Sequence, residues 1–211
     1  MYRPDLFRVD DLPQLHGLMR ARPFAALVSS GPAGLFATHL PTVLKDDGPF
    51  GTIECHVARA NPHWKELGDE VLMIFQGAEG YITPNWYPSK AEHGKVVPTW
   101  NYAVVHAYGR AEAIEDTAWL RRHVGELTAQ QEAGAAKPWA VSDAPDSFIA
   151  GMARAIVGIR LPIARLEGKW KMSQNRELKD REGVIEGLDR RGAGDDFEIA
   201  DAVRRAMRPD G

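Results

Sequence analysis

Apolar residues recur along this chain with two different periods, and the places where the period changes mark its elements. After Asp10, residues Leu12, Leu15, Leu18 and Met19 fall on one helical face, which predicts a helix capped by Asp10 or Asp11 and broken by Pro23. FAALVSS (24–30), GLFATHLPTVL (34–44), GTIECHVA (51–58) and EVLMIFQG (70–77) are short, largely apolar runs bounded by Gly, Pro and Asp, and they predict strands. WNYAVVHAYGRAEAI (100–114) predicts a longer one. The nearly unbroken VLMIF is the pattern of a strand covered on both faces. SSGPAG lacks phosphate-loop spacing and predicts a hairpin turn.

Helical periods return later. Asp116 is placed to cap a segment with Leu120, Val124 and Leu127 on one stripe. Asp146 is placed to cap another carrying Phe148, Met152 and Ile156, with Gly158 ending it. GIRLPIARLEG has strand character, and DDFEIADAVRRAM places Ile199, Val203 and Met207 at four-residue spacing. A dense series of turn-bounded strands predicts a barrel or sandwich rather than βαβ alternation. The expectation is a mainly β fold with helices (α+β): one domain over 1–211, helices inserted at about 116–157 and a helical tail at about 176–208.

Composition narrows the setting. Net charge is −3 and the Lys and Arg residues are spread along the chain, so no basic face for nucleic acid is evident. Cys55 is the only cysteine, which fits a reducing cytoplasm. No apolar run resembles a signal peptide or approaches the ~20 residues of a membrane span. A cytoplasmic protein without a membrane partner is expected.

The chemistry-bearing motifs begin with those missing: no GxGxxG, Walker A loop, HExxH or GxSxG is present. The seven histidines never fall at i,i+4 or in an HxH pair, so no metal site is expected. HVARANPHW is more suggestive. Arg59 offers a planar fork for phosphate oxygens, Asn61 and His56 add donors, and the alanines between leave room for a ligand. Arg59 paired with a surface carboxylate is the alternative, and the sequence leaves both open. VPTWNYAVVHAYG sets Trp100 beside Asn101, and EGKWKMSQN groups Lys169, Trp170, Lys171, Ser173, Gln174 and Asn175. Flat rings with amides, hydroxyls and cations suit a planar heteroaromatic ligand bearing a phosphate. YITPNWYPSK is expected to pack its own aromatics, Tyr81, Trp86 and Tyr87, in a stiff loop.

MYRPDLF, FAALVSS, ATHLP, HVARANPHW, FQGAEGYITPNWYPSK, VPTWNYAVVHAYG, EGKWKMSQN and GVIEGL, in this order from Met1 to Leu188, closely resemble the PaiB-type family of FMN-binding negative transcriptional regulators. The resemblance implies a split β-barrel like that of pyridoxamine-phosphate oxidases, a homodimer with FMN at the subunit interface, and burial there of the apolar sides of strands 70–77 and 100–108. It implies that His39, His56, Arg59 and Asn61 lie on the phosphate side of FMN, that Trp100 and Asn101 lie near its rings, and that Trp170, Lys171, Ser173 and Gln174 complete the site. The function implied is that of a regulator or of a flavin or redox sensor. A flavin-dependent oxidoreductase, or a haem protein using a histidine ligand, is the alternative. DNA is a possible partner, although segment 116–133 is not followed by a recognition helix after a short turn.

Overall fold

The computed structural model describes residues 1–32 and 34–208. In chain order the elements are β1 (Arg8–Val9), α1 (Leu12–Ala21), β2 (Phe24–Gly31), β3 (Gly34–Lys45), β4 (Thr52–Ala58), β5 (Val71–Ile82), α2 (Ser89–His93) and β6 (Thr99–Gly109). Then follow β7 (Glu112–Ile114), α3 (Thr117–Glu132), α4 (Asp146–Arg154), β8 (Ile156–Pro162), β9 (Arg165–Lys171), α5 (Leu178–Arg191) and α6 (Asp196–Ala206). They form two compact units: Met1–Asp11 with Gln76–Val105 and Glu167–Gly211, and Leu12–Phe75 with His106–Leu166.

In the second unit the strand order is β5-β2-β3-β4-β8-β7. The β2–β3 hairpin pairs Gly31 with Gly34, as expected, while Ala33 lies outside the described residues. Period-two alternation decides what β2 buries: Ala25, Leu27 and Ser29 face inward, and Phe24, Ala26 and Val28 face out. β5 alternates likewise, with Val71, Met73 and Phe75 buried and Leu72 and Ile74 half-buried. Asp116 caps α3 as expected, accepting from the Trp119 N–H at 2.7 Å. The buried stripe of α3 is Leu120, His123 and Leu127, so a histidine takes the place expected of Val124.

Two expectations fail in this unit. The run 100–114 divides into β6 and β7 rather than forming one strand. The helix starting at Asp146 ends at Arg154, and Ile156 and Gly158 belong to β8. It buries Ile149 and Ala153 and leaves Phe148 and Met152 exposed. Gly158 is needed within the strand because Trp119 lies over it: a Cβ there would meet the indole at 2.2 Å.

In the first unit the order is β1-β9-β6-β5, with α5 and α6 packed together. Their joint core is Val184, Leu188, Ile199 and Val203, all inaccessible to solvent. The link between them is covalently short and electrostatically fixed. Arg191 clasps buried Asp196 through Nε and Nη2, at 2.7 and 2.5 Å, and the Ala193 N–H adds a third bond. These contacts, the arginine foremost, hold the Asp196 carboxyl below its usual range. Residues 81–90 do not pack only on themselves. Trp86 and Pro88 lie against Gly183 of α5, Ser89 bonds Asp180 at 2.7 Å, and Tyr87 is buried. No helix among the described residues is long and apolar enough to cross a membrane.

Candidate functional site

The polar end of β4 owes its shape to Asn61. Its Oδ1 accepts from the His63 N–H at 3.0 Å, starting the 3-10 turn Pro62–Lys65, and its Nδ2 donates to Thr38 Oγ1 at 3.2 Å. His63, fully buried, meets Thr38 Oγ1 through Nδ1 at 2.8 Å and Ser29 Oγ through Nε2 at 3.0 Å. The Ser29 hydroxyl donates to the Glu66 carbonyl at 2.6 Å. It must therefore accept from His63 Nε2–H, leaving Nδ1 to accept from the Thr38 hydroxyl. Burial lowers the His63 pKa and keeps the ring neutral in this chain of bonds. Sequence reasoning passed over His63, because its partners come from two strands distant in sequence.

The other residues expected around a phosphate face different partners. Arg59 pairs with Glu115 and donates to the carbonyls of Arg154 (2.9 Å) and Ile156 (3.2 Å). His39 is exposed and stacks on Phe24 with ring centroids 6.3 Å apart. His56, half-buried, is bonded through Nδ1 to His123 Nε2 at 3.1 Å. His123 stacks on Trp119 at 5.1 Å, and its Nδ1 is buried without a partner. An unpartnered lone pair is the cheaper arrangement, so Nε2 carries the proton and donates to His56. Burial lowers the pKa of both rings, and the His123 value falls to about 4.

In the first unit the remaining candidates pair off along the start of β6 and the end of β9. Asn101, fully buried, donates to Ser173 Oγ at 3.0 Å. Ser173 has φ 61°, the only positive value at a non-glycine residue among those described. Gln174 folds back, accepting from the Met172 N–H at 2.6 Å and donating to the Trp170 carbonyl at 2.7 Å. Together these bonds hold a strained turn of the kind that collects at binding sites. Lys171 donates to the Thr99 hydroxyl and the Trp100 carbonyl. The Trp100 ring is 53% exposed and meets the edge of exposed Tyr81 at 6.1 Å. The turn thus presents an accessible aromatic surface beside fixed polar groups, a fit for a planar heteroaromatic cofactor. Lys169 and Arg176 flank it, and of the two Arg176 was not singled out. The alternation KWK puts Lys169 and Lys171 on one strand face.

Comparison with known proteins places the chain in a family. Residues 1–165 match the family described as "Putative FMN-binding domain". A protein of Emericella nidulans, "Uncharacterized protein AN0679", is 36% identical over 90% of this chain and 91% of its own. "Protease synthase and sporulation protein PAI 2" of Bacillus subtilis is 30% identical over 89% of each chain. Among solved structures, the flavocytochrome Anf3 from Azotobacter vinelandii superposes with a TM-score of 0.59 at 17% identity, covering 81% of this chain and 72% of that one. That likeness establishes the fold as an α+β split β-barrel.

Proposed function

The chain belongs to the family of FMN-binding domains, and from that membership we propose that it works as a homodimeric flavin-binding regulator, a sensor of flavin or of its redox state. The observation that carries the reading is the exposed Trp100 ring, whose backbone carbonyl is held by Lys171 next to the positive-φ turn at Ser173. Such a surface can stack on an isoalloxazine. FMN supplies reversible electron and hydride acceptance when bound, and the protein supplies orientation and electrostatics. The name of the Bacillus relative refers to sporulation, which supports a role in control rather than in a metabolic step.

A second copy is favoured by one face of the second unit. Cross-strand partners share a face, and there Ala26 pairs with His39 and Ile74, Val28 with Ala37 and Leu72, Phe24 with Pro41, and Ser30 with Leu35. Phe24 is 65% and Leu35 82% exposed, while Leu72 and Ile74 are only half-covered. A contiguous apolar face of this kind suits an isologous dimer.

The test is to incubate the purified protein with FMN, desalt it and record the absorbance spectrum. A retained flavin spectrum is expected. Addition of NADH should leave that spectrum unbleached over minutes if the protein senses rather than turns over. Loss of all flavin on desalting, together with unchanged FMN fluorescence on mixing, would overturn the reading.

A further inference from the structure

β9 projects Glu167, Lys169 and Lys171 from one face by strand alternation. Glu167 is engaged by the Met1 ammonium at 2.6 Å, and neither lysine pairs with a carboxylate. Lys169, only 8% exposed, has one hydrogen bond, to the Tyr2 carbonyl at 3.1 Å. Its ammonium otherwise lies over the rings of Tyr2 and Tyr102, at 5.4 and 5.3 Å. Lys171 spends two of its three N–H groups on Thr99 and Trp100. Arg176 sits over the Tyr87 ring at 4.7 Å and reaches the Val97 carbonyl at 3.5 Å.

Burying a cation without counter-charge is costly, and here buried Lys169 shares its neighbourhood with half-buried Lys171 and Arg176. Burial, then Lys169, then Arg176 lower the Lys171 pKa, so Lys171 feels both neighbouring cations. Two donors on Lys169 and one on Lys171, which is held at the Trp100 carbonyl, remain unfilled. Arg59 is the opposite case. Its charge is answered by Glu115, whose carboxylate would repel an approaching anion, and two backbone carbonyls take further donors.

We propose that Lys169, Lys171 and Arg176 form a phosphate-monoester site, and that this site rather than Arg59 receives the phosphate of FMN. The assignment rests on the FMN-binding reading. It names the group that a flavin mononucleotide has and riboflavin lacks: a dianion able to take up the unfilled donors of both lysines.

The test is titration of FMN and of riboflavin, followed by flavin fluorescence, into wild type, Lys171→Met, Lys171→Arg and Arg59→Ala. Wild type is expected to prefer FMN. Lys171→Met should weaken FMN by on the order of 30- to 1000-fold, the usual loss when one partner of a hydrogen-bonded charge pair is removed. Riboflavin affinity should move less than about threefold. Lys171→Arg should restore part of the preference, because it keeps the charge. Inorganic phosphate, against chloride at equal ionic strength, should compete with FMN and not with riboflavin, which separates a phosphate site from general screening. Thermal melts of each variant show whether it is folded.

The proposal falls, with FMN binding intact, if Lys171→Met loses both flavins equally. It also falls if Arg59→Ala abolishes the preference for FMN while Lys171→Met keeps it, or if wild type binds both flavins alike. Wild type binding neither flavin would remove the FMN reading itself.

Discussion

At the scale of single residues, the two buried histidine systems make opposite demands on the proton. His63 has both nitrogens satisfied, whereas the His56–His123 pair leaves one nitrogen bare. Burial, then His56 and Arg122, disfavour a proton on His123, and Glu126 offsets this only in part. Its folded pKa of about 4 lies below the ordinary 6.5, so between these values the unfolded chain takes up a proton that the native one refuses. Stability is therefore full above pH 6.5 and declines as pH falls toward 4, by up to about 3 kcal/mol at ~1.4 kcal/mol per unit. Urea midpoints taken from pH 7.5 to 4.5 should show this slope, and His123→Phe, which keeps a ring on Trp119, should flatten it. A slope unchanged in His123→Phe would place the effect elsewhere. Ser173 gives a second expectation. Removing its hydroxyl strands the buried Asn101 amide, so Ser173→Ala should cost about 1–3 kcal/mol in urea unfolding. Ser173→Gly should cost less than Ser173→Ala, because glycine tolerates φ 61° without penalty. The reverse order would show that the backbone there is not strained.

At the scale of elements, the glycines of α5 run against helix propensity. Gly→Ala inside a helix ordinarily stabilises by up to about 1 kcal/mol. At Gly183 a Cβ would meet the Trp86 carbonyl at 2.0 Å, a backbone atom that cannot swing aside. Gly183→Ala should instead lower stability by about 1–3 kcal/mol, with loss of α5 packing visible in Trp fluorescence. The pair α5–α6, joined by four residues, has the outline of a helix-turn-helix that the sequence reading did not find. Its charges argue against DNA reading, since the outer face of α6 begins with Glu198 and Asp201, where such a helix would approach base edges. Arg204 is already paired with Asp189 and Asp201. Any DNA binding by the isolated protein should be weak and fall steeply with salt; a nanomolar, sequence-selective shift at physiological salt would refute this.

How much of this was legible follows from the range of the interactions involved. Strands β2 to β5 stood out because alternation and Gly or Pro boundaries are local signals. The end of α4 did not, because Gly158 is explained by Trp119, a residue 39 positions earlier. The same limit applies to sites. Arg59 was left with two possible fates, and Glu115 is a partner that only folding could name. Asn101 and Ser173 were both singled out, yet their mutual bond joins residues 72 positions apart.

At the scale of the whole molecule, the exposed face around β2 and β3 predicts its own removal from water. Sedimentation at micromolar concentration should give twice the 23.4 kDa chain mass. Leu35→Lys, at a position 82% exposed and so without a folding penalty, should shift it toward monomer. A wild-type protein sedimenting only at chain mass would remove the dimer.

The division of the chain into interleaved segments has a consequence for its birth on the ribosome. The second unit ends at Leu166, while the first is assembled from three pieces, the last beginning at Glu167. The partner of β1 is β9, which pairs Lys169 with Arg8 and so emerges roughly 160 residues after it. At about 5–20 residues per second, β1 waits on the order of 10–30 seconds without its neighbour. β1 is only two residues long, and Arg8, Asp10 and Asp11 crowd around it. A short, charged segment of this kind is a poor seed for wrong pairing during the delay.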